Sequence, residues 1–207
     1  MTRRRMGHRL VPGQTVAASA LATADGVRVG IPDPDRLTHL QFRRFAGCPV
    51  CNLHLRSIVR RHDEIAAAGV REVVVFHSSA AELRAHTADL PFPVIADPDK
   101  RLYAEFGVES RPRALLDPRA WGPILRAILH DLAAILRHRQ PPPAVRQPGG
   151  RLGLPADFLI ASDGRVVAAK YGSHAYDQWS VDELLDLARI ESSAADSHRL
   201  GMTRRGG

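Results

Sequence analysis

The sequence predicts an α/β protein with a central mixed sheet flanked by helices, and with a helical insertion before the final hairpin. Before residue 114, short strand-like segments alternate with segments of helical period. Residues 114–150 interrupt this order, and a predicted hairpin and a closing helix follow them. Strands joined through helices pair in parallel, whereas the two strands of a hairpin pair antiparallel. The sheet is therefore expected to be mixed.

The first strands are predicted from alternation of apolar and polar residues. Residues 15–31 alternate loosely around a turn signal at 24–26, a pattern typical of a hairpin. Residues 38–45 also alternate, which predicts a strand that Gly47 ends.

From Pro49 the apolar residues follow a helical period, and one stripe continues to a helix end near Gly69. The remaining elements before the insertion are a strand at 72–76, a short helix capped by Ser79 and Glu82 that ends near Asp89, a strand at 93–96 and a helix at 98–106.

The insertion carries a predicted helix of its own. Asp117 is a favourable N-cap, Pro118 suits the first turn, and a wide apolar stripe runs opposite arginines over 118–139. We favour packing of this helix on its own domain. A homodimer through the helix is the second interpretation, and a lid or a membrane-surface element is the third.

After the insertion, residues 157–161 and 165–171 predict two strands joined by a tight turn. Ser180 and Glu183 then form a capping pattern, which predicts a final helix to about Ile190.

These elements predict a single domain over 10–192 between disordered tails at 1–9 and 193–207. The net charge of +7 is carried by residues 1–9 and 199–207, which hold seven arginines and no acidic residue. Because the rest of the chain is neutral, the charge argues against a specific nucleic-acid partner. The sequence has neither a secretory signal nor an apolar run that spans a bilayer, so we expect a cytoplasmic protein without a membrane partner.

The strongest chemical signal is Cys48-Pro49-Val50-Cys51 at the predicted strand-to-helix junction. Cys48 is placed to be the N-cap, and Pro49 suits the first helical position because its missing N–H is not needed there. A Cys48 thiolate would gain backbone N–H bonds and the positive end of the helix dipole, which lower a thiol pKa from about 8.5 toward neutrality. Cys51 lies one turn behind and is placed to close a disulfide after Cys48 attacks. We therefore predict catalytic roles for Cys48 and Cys51.

Three other interpretations stay open for this motif. The two cysteines are inert core residues in the first. In the second they bind zinc with His54 and His77, although a structural site needs four convergent ligands and the usual second pair is missing. The third is a non-catalytic adaptor. We predict no metal, and we expect His54 on the helix surface.

A second motif is Leu154-Pro155, directly before a predicted strand. A proline at such a place, when its peptide bond is cis, marks a tight turn that brings a backbone edge to an active site. We therefore take Pro155, like Pro49, as a supporting residue of the substrate groove. Four residues that follow it are further candidates for this groove, with core packing as the alternative: Asp157, Tyr171, His174 and Trp179.

Cys-x-x-Cys between a strand and a helix, followed by a proline, a hairpin and a helix, resembles the thioredoxin-like superfamily. The sequence is most similar to its peroxiredoxin-like branch, the alkyl hydroperoxide reductase/thiol-specific antioxidant family. The resemblance covers about 10–190 and rests on residues 42–51, 97–108, 153–160 and 163–165. It implies a thioredoxin-like fold, reduction of peroxides or disulfides without a bound cofactor, and a thiol reductant of the thioredoxin or glutathione type.

The sequence departs from that family in two respects. The Pro-x-x-x-Thr-x-x-Cys motif that holds peroxide in typical members is missing, whether counted back from Cys48 or from Cys51. The position of the family's late arginine is occupied by Pro155. Arg44 and Arg151 are the candidates to supply that charge, with a surface position as the simpler interpretation of each. We name Arg44 as a supporting residue and leave peroxide and disulfide open as substrates.

Overall fold

The computed structural model describes residues 9–108 and 153–203. The predicted insertion, its helix over 118–139 and Arg151 lie outside the described residues, as do residues 1–8 and 204–207.

The predicted N-terminal hairpin is confirmed as a small sheet of its own. Strands β1 (Ser19–Ala22) and β2 (Arg28–Ile31) pair antiparallel, with Ser19 opposite Ile31. Gly26 adopts a φ of 86° in the turn, a conformation that glycine reaches without steric cost.

The main sheet has five strands in the order β5-β4-β3-β6-β7. They are β3 (Leu37–Phe42), β4 (Val70–Phe76), β5 (Val94–Ala96), β6 (Ala156–Ile160) and β7 (Val166–Tyr171). The pairs β3–β4 and β4–β5 are parallel, whereas β3–β6 and β6–β7 are antiparallel. The predicted mixed sheet is therefore confirmed, and the predicted strands agree with the observed ones to within about three residues.

The helices are α1 (Pro49–Arg60), α2 (His62–Ala67), α3 (Ala80–Thr87), α4 (Arg101–Glu105) and α5 (Val181–Thr203). The capping boxes at α3 and α5 form as predicted, with Ser79 and Ser180 each accepting from the backbone N–H three residues on. Within the described part of the chain, no helix is both long and apolar enough to cross a bilayer.

Two of the predicted helices end elsewhere than expected. The single helix from Pro49 to Gly69 is broken at Arg61, which leaves helical geometry with φ −116° and ψ 21° and bonds to Glu64 and Asp182. The apolar stripe continues across the break, which is why the sequence pattern did not reveal it. The last helix continues past Ile190 to Thr203, so residues 193–203 are helical rather than a disordered tail.

The sheet separates two apolar cores. Leu40 and Phe42 of β3 point to one face, where Phe42 packs against Tyr103 and Phe106. The other face packs against α1 and α5 and holds both cysteines. Successive side chains of a strand alternate between faces, so His39 and Gln41 point to this second side.

Five polar side chains are buried on that side, each no more than 1% exposed. Strand register places His39 opposite Glu72 and Gln41 opposite Asp157. The ring nitrogens of His39 lie 2.8 Å from Glu72 Oε2 and 3.3 Å from Asp157 Oδ1, off the ideal hydrogen-bond direction. Arg43 Nη2 lies 2.8 Å from Asp157 Oδ1 and 2.5 Å from Gln41 Oε1, and Gln41 Nε2 donates to Glu72. We call these five residues the buried polar network.

The charges of this network balance. Burial lowers the pKa of His39, but Glu72 and Asp157 outweigh it and raise that pKa to about 9. Burial raises the pKa of Asp157, but Arg43 and His39 outweigh it, so this pKa is lowered. A histidinium and a guanidinium therefore face two carboxylates, and neither sign is left unpaired.

We expect His39→Leu to lower the free energy of unfolding at neutral pH by about 3–5 kcal/mol, because it leaves a buried carboxylate without its cation. Urea unfolding measures this loss. Arg36→Gln is the matched control: Arg36 pairs with Asp33 but has a side chain that is 46% exposed, so its loss should cost less than about 1 kcal/mol.

Comparing the wild type with His39→Leu at several pH values tests the charge on His39. Because its pKa is raised on folding, its stabilising effect is complete below about pH 6.5 and is lost as the pH rises to about 9. The stability difference between the wild type and His39→Leu should therefore narrow over this interval. A difference that stayed constant with pH would show that His39 is neutral in the folded protein.

Candidate active site

The Cys-Pro-Val-Cys segment lies where β3 passes into α1, as predicted. Gly47 turns the chain with a φ of 71°, Cys48 is the N-cap in an extended conformation, and α1 begins at Pro49. The Cys48 carbonyl accepts the first helical hydrogen bond, from Asn52 N–H at 2.9 Å. This placement directs the N–H groups of the first helical turn toward the Cys48 side chain.

Both cysteines are reduced and buried, and each is only 1% exposed. They belong to the apolar core between the sheet and helices α1 and α5. Burial by itself fits the inert-core interpretation. The redox interpretation requires, in addition, groups that stabilise a thiolate.

The electrostatic surroundings differ sharply between the two sulfur atoms. Burial raises the pKa of Cys48, but a hydrogen bond from the Cys51 thiol, the charge of Arg44 and the backbone N–H groups of Cys51 and Val50 outweigh it. The result is a pKa of about 7, below the ordinary range. Burial raises the pKa of Cys51 well above that range, and the neighbouring Cys48 raises it further. The lower pKa of the pair therefore belongs to Cys48 and the higher one to Cys51.

Arg44 supplies the fixed positive charge. Its Nη1 lies 3.8 Å from Cys48 Sγ, and its guanidinium carbon lies 5.4 Å from the centre of the Phe45 ring. The residue is 4% exposed, so the surface position given above as the simpler interpretation is wrong. Alternation along β3 does not extend into the turn before Gly47, and the sequence therefore carried no signal for the direction of this side chain.

The loop after β4 borders the same turn. His77 N–H donates to the Arg44 carbonyl at 3.1 Å, and Ser78 Oγ accepts from Ala46 N–H at 2.9 Å. His77 is 2% exposed, and burial, followed by the charges of Lys100 and Arg44, lowers its pKa to about 4. The sequence suggested His77 only as a zinc ligand. Its place beside Arg44 follows from the parallel pairing of β3 with β4.

The segment before β6 reaches this region through its backbone. A Cβ placed on Gly153 would lie 3.1 Å from His77 Nε2 and 3.7 Å from Arg44 Cγ, so only a residue without a side chain fits comfortably. Pro155 lies two residues further on, and its carbonyl accepts from Gly172 N–H at 2.9 Å. Within residues 9–108 and 153–203 the cis peptide bond precedes Pro32, so the bond before Pro155 is trans.

Three of the other candidates named from the sequence lie in the core, namely His54, Asp157 and Trp179. Tyr171 and His174 are only half-buried. His54 is 5% exposed, not on the helix surface, and burial, followed by the charge of Arg43, lowers its pKa to about 3. Asp157 belongs to the buried polar network, and the ring of Trp179 lies 5.6 Å from that of His39.

No group of three or more potential metal ligands occurs in the part of the chain that the structure describes, so the two cysteines and two histidines do not form a zinc site there.

Comparison with known proteins assigns the chain to a family. A family model described as AhpC/TSA antioxidant enzyme matches residues 57–174, which is more than half of the chain. The chain belongs to this family. The match begins after Cys51, so membership of the AhpC/TSA family does not by itself assign roles to the two cysteines. None of the curated proteins matches the chain.

The AhpC/TSA chain is also similar in fold to solved structures at low sequence identity. Peroxidoxin BcpB from Mycobacterium tuberculosis has a TM-score of 0.63 and 17% identity, over 88% of this chain and 98% of that one. AhpC from Mycobacterium tuberculosis has a TM-score of 0.60 and 13% identity, over 90% and 96%. A putative thiol:disulfide interchange protein DsbE from Chlorobium tepidum has a TM-score of 0.54 and 17% identity, over 86% and 98%. The thioredoxin-like fold is therefore confirmed.

We expect Arg44→Gln to raise the pKa of the Cys48 thiol toward the ordinary value of about 8.5, because the substitution removes a positive charge beside the sulfur. The ultraviolet absorbance of the thiolate, followed against pH in a Cys51→Ser background, measures this pKa. Arg60→Gln is the control, since Arg60 lies in the last turn of α1, about 18 Å along the helix. An unchanged titration in Arg44→Gln would contradict the role given to Arg44.

Proposed function

We propose that this AhpC/TSA chain is a thiol peroxidase that cycles Cys48 and Cys51 between dithiol and disulfide. The observation that carries the proposal is the environment of the Cys48 sulfur. It is a buried N-cap sulfur with a guanidinium nitrogen at 3.8 Å and a thiol pKa of about 7. A nucleophilic thiolate is therefore present at neutral pH.

In the first step the Cys48 thiolate attacks the terminal oxygen of a hydroperoxide. An S–O bond forms while the O–O bond breaks, so Cys48 is oxidised to a sulfenic acid and an alkoxide leaves. The alkoxide takes the proton of the Cys51 thiol and departs as an alcohol. Since the pKa of Cys51 is raised, this thiol keeps its proton until so strong a base appears.

In the second step the Cys51 thiolate attacks the Cys48 sulfur. An S–S bond forms, and hydroxide leaves and is protonated by solvent. The peroxide has then been reduced to an alcohol and water by two electrons from the dithiol. An external thiol of the thioredoxin or glutathione type would reduce the disulfide and complete the cycle. No step needs a bound cofactor or metal.

Burial favours a peroxide over a protein disulfide as the oxidising substrate. A sulfur on a residue that is 1% exposed is within reach of a hydroperoxide after small movements, whereas a protein disulfide needs a wide opening. Thiol–disulfide exchange is the second candidate. The Cys-x-x-Cys spacing favours it because the second cysteine can attack the mixed disulfide formed by the first and release the substrate thiol. We propose the cytoplasm as the compartment, since a reducing environment regenerates the dithiol.

We expect Cys48→Ser to abolish peroxide reduction, because it removes the nucleophile. Cys51→Ser should still react once with peroxide and should then stop as a sulfenic acid, since no thiol is left to displace hydroxide. Mass spectrometry after trapping with a sulfenic-acid reagent distinguishes the two variants, and the wild type should instead show a Cys48–Cys51 disulfide.

The reverse pattern, with full activity in Cys48→Ser and none in Cys51→Ser, would exchange the two roles. Equal rates in wild type and in both variants would favour the non-catalytic adaptor. Stoichiometric zinc in the purified protein, lost in either variant, would favour the metal-binding interpretation.

A further inference from the structure

A buried histidine beside the candidate site packs against Phe45 and Tyr103, but its ring nitrogens make no hydrogen bond among the described residues. The residue is His77, which lies immediately after β4. Buried polar atoms are nearly always paired, because leaving them unpaired costs free energy. Because its unpaired ring nitrogens lower the stability of the fold, the presence of this imidazole needs an explanation other than stability.

The position of the ring relates it to the reacting sulfur. His77 N–H is bonded to the Arg44 carbonyl, and both His77 Nε2 and Arg44 Cγ border the bare backbone of Gly153. The Arg44 side chain then extends to Cys48 Sγ. The imidazole therefore stands alongside the arginine that holds the thiolate, on the side where the backbone of Gly153 approaches.

We propose that His77 is a further catalytic residue, which donates a ring N–H hydrogen bond to the leaving oxygen of the peroxide while Arg44 holds the attacking sulfur. This inference rests on the proposed peroxidase function. It also supplies what the sequence lacks, namely a second donor for the developing alkoxide in a chain without the usual threonine motif.

The chemistry of the ring suits this role. With a pKa of about 4, the imidazole is neutral at physiological pH and offers one N–H donor. As the O–O bond breaks, negative charge grows on the departing oxygen, and a donor already in place stabilises it most where water is excluded. His77 keeps its proton throughout; the proton that finally neutralises the alkoxide comes from Cys51, as above.

Two substitutions separate the hydrogen bond from the shape of the ring. His77→Leu removes both ring nitrogens, whereas His77→Gln places an amide N–H near the position of Nε2. We expect His77→Leu to slow oxidation of Cys48 by hydrogen peroxide about 100-fold, and His77→Gln to restore most of the rate. His86→Leu on α3, which replaces a partly buried histidine outside the site, should leave the rate unchanged.

Alkylation by iodoacetamide provides the decisive comparison, because this reaction uses the same thiolate but releases iodide, so no departing oxygen has to be stabilised. It should proceed at the wild-type rate in all three variants. Thermal unfolding should show that His77→Leu is at least as stable as the wild type, since it removes unpaired buried nitrogens.

Each other result overturns the inference in a distinguishable way. Equal loss of peroxide and iodoacetamide reactivity in His77→Leu would mean that His77 acts on the thiolate or the fold. An unchanged peroxide rate in His77→Leu would exclude the hydrogen bond while leaving the peroxidase proposal intact. A wild-type Cys48 that peroxide does not oxidise would remove the proposed function and this inference together.

Discussion

A thiolate buried away from water has to be stabilised by groups fixed in the fold, because burial alone keeps the proton on sulfur. At the junction of β3 and α1 these groups outweigh burial at Cys48 but not at Cys51. The Cys51 thiol donates to Cys48, the first helical turn directs N–H groups toward it, and Arg44 holds a charge beside it. This asymmetry is the basis on which we propose that Cys48 attacks and Cys51 resolves, and it depends on where strand, turn and helix meet.

The buried polar network fixes the position of β3, the strand that leads into this junction. His39 and Gln41 of β3 point toward the core that contains both cysteines, and Glu72 and Asp157 anchor them from the neighbouring strands. A network of balanced charges has a defined geometry, because any shift leaves a buried charge unpaired. Side chains of β4 and β6 therefore bind β3 from both of its edges. This fixes the position of the turn that precedes α1.

The order of the elements was predictable because each one shows its own local pattern. Alternation identified β3, a tight turn identified β6 and β7, a capping box identified α3, and the change of period at Pro49 identified α1. The break at Arg61 was not predictable, since the apolar stripe runs through it and the ion pairs that accompany it reach Asp182, far away in the chain. The continuation of α5 to Thr203 was missed for a related reason: a polar segment after a capped helix looks the same whether it remains helical or not.

For the candidate site, the sequence by itself determined the two cysteines, the proline between them and their place at a helix N-terminus, because all of these depend on neighbours within one turn. Only the tertiary structure decided that Arg44 is buried against the Cys48 sulfur and that His77 lies beside Arg44 with its ring nitrogens unbonded. It also decided that His39, Glu72 and Asp157 form one network. Apart from the short-range contact of Arg44 with Cys48, these contacts join segments far apart in the chain. The direction of a side chain is set by strand register and packing, which a local pattern does not contain.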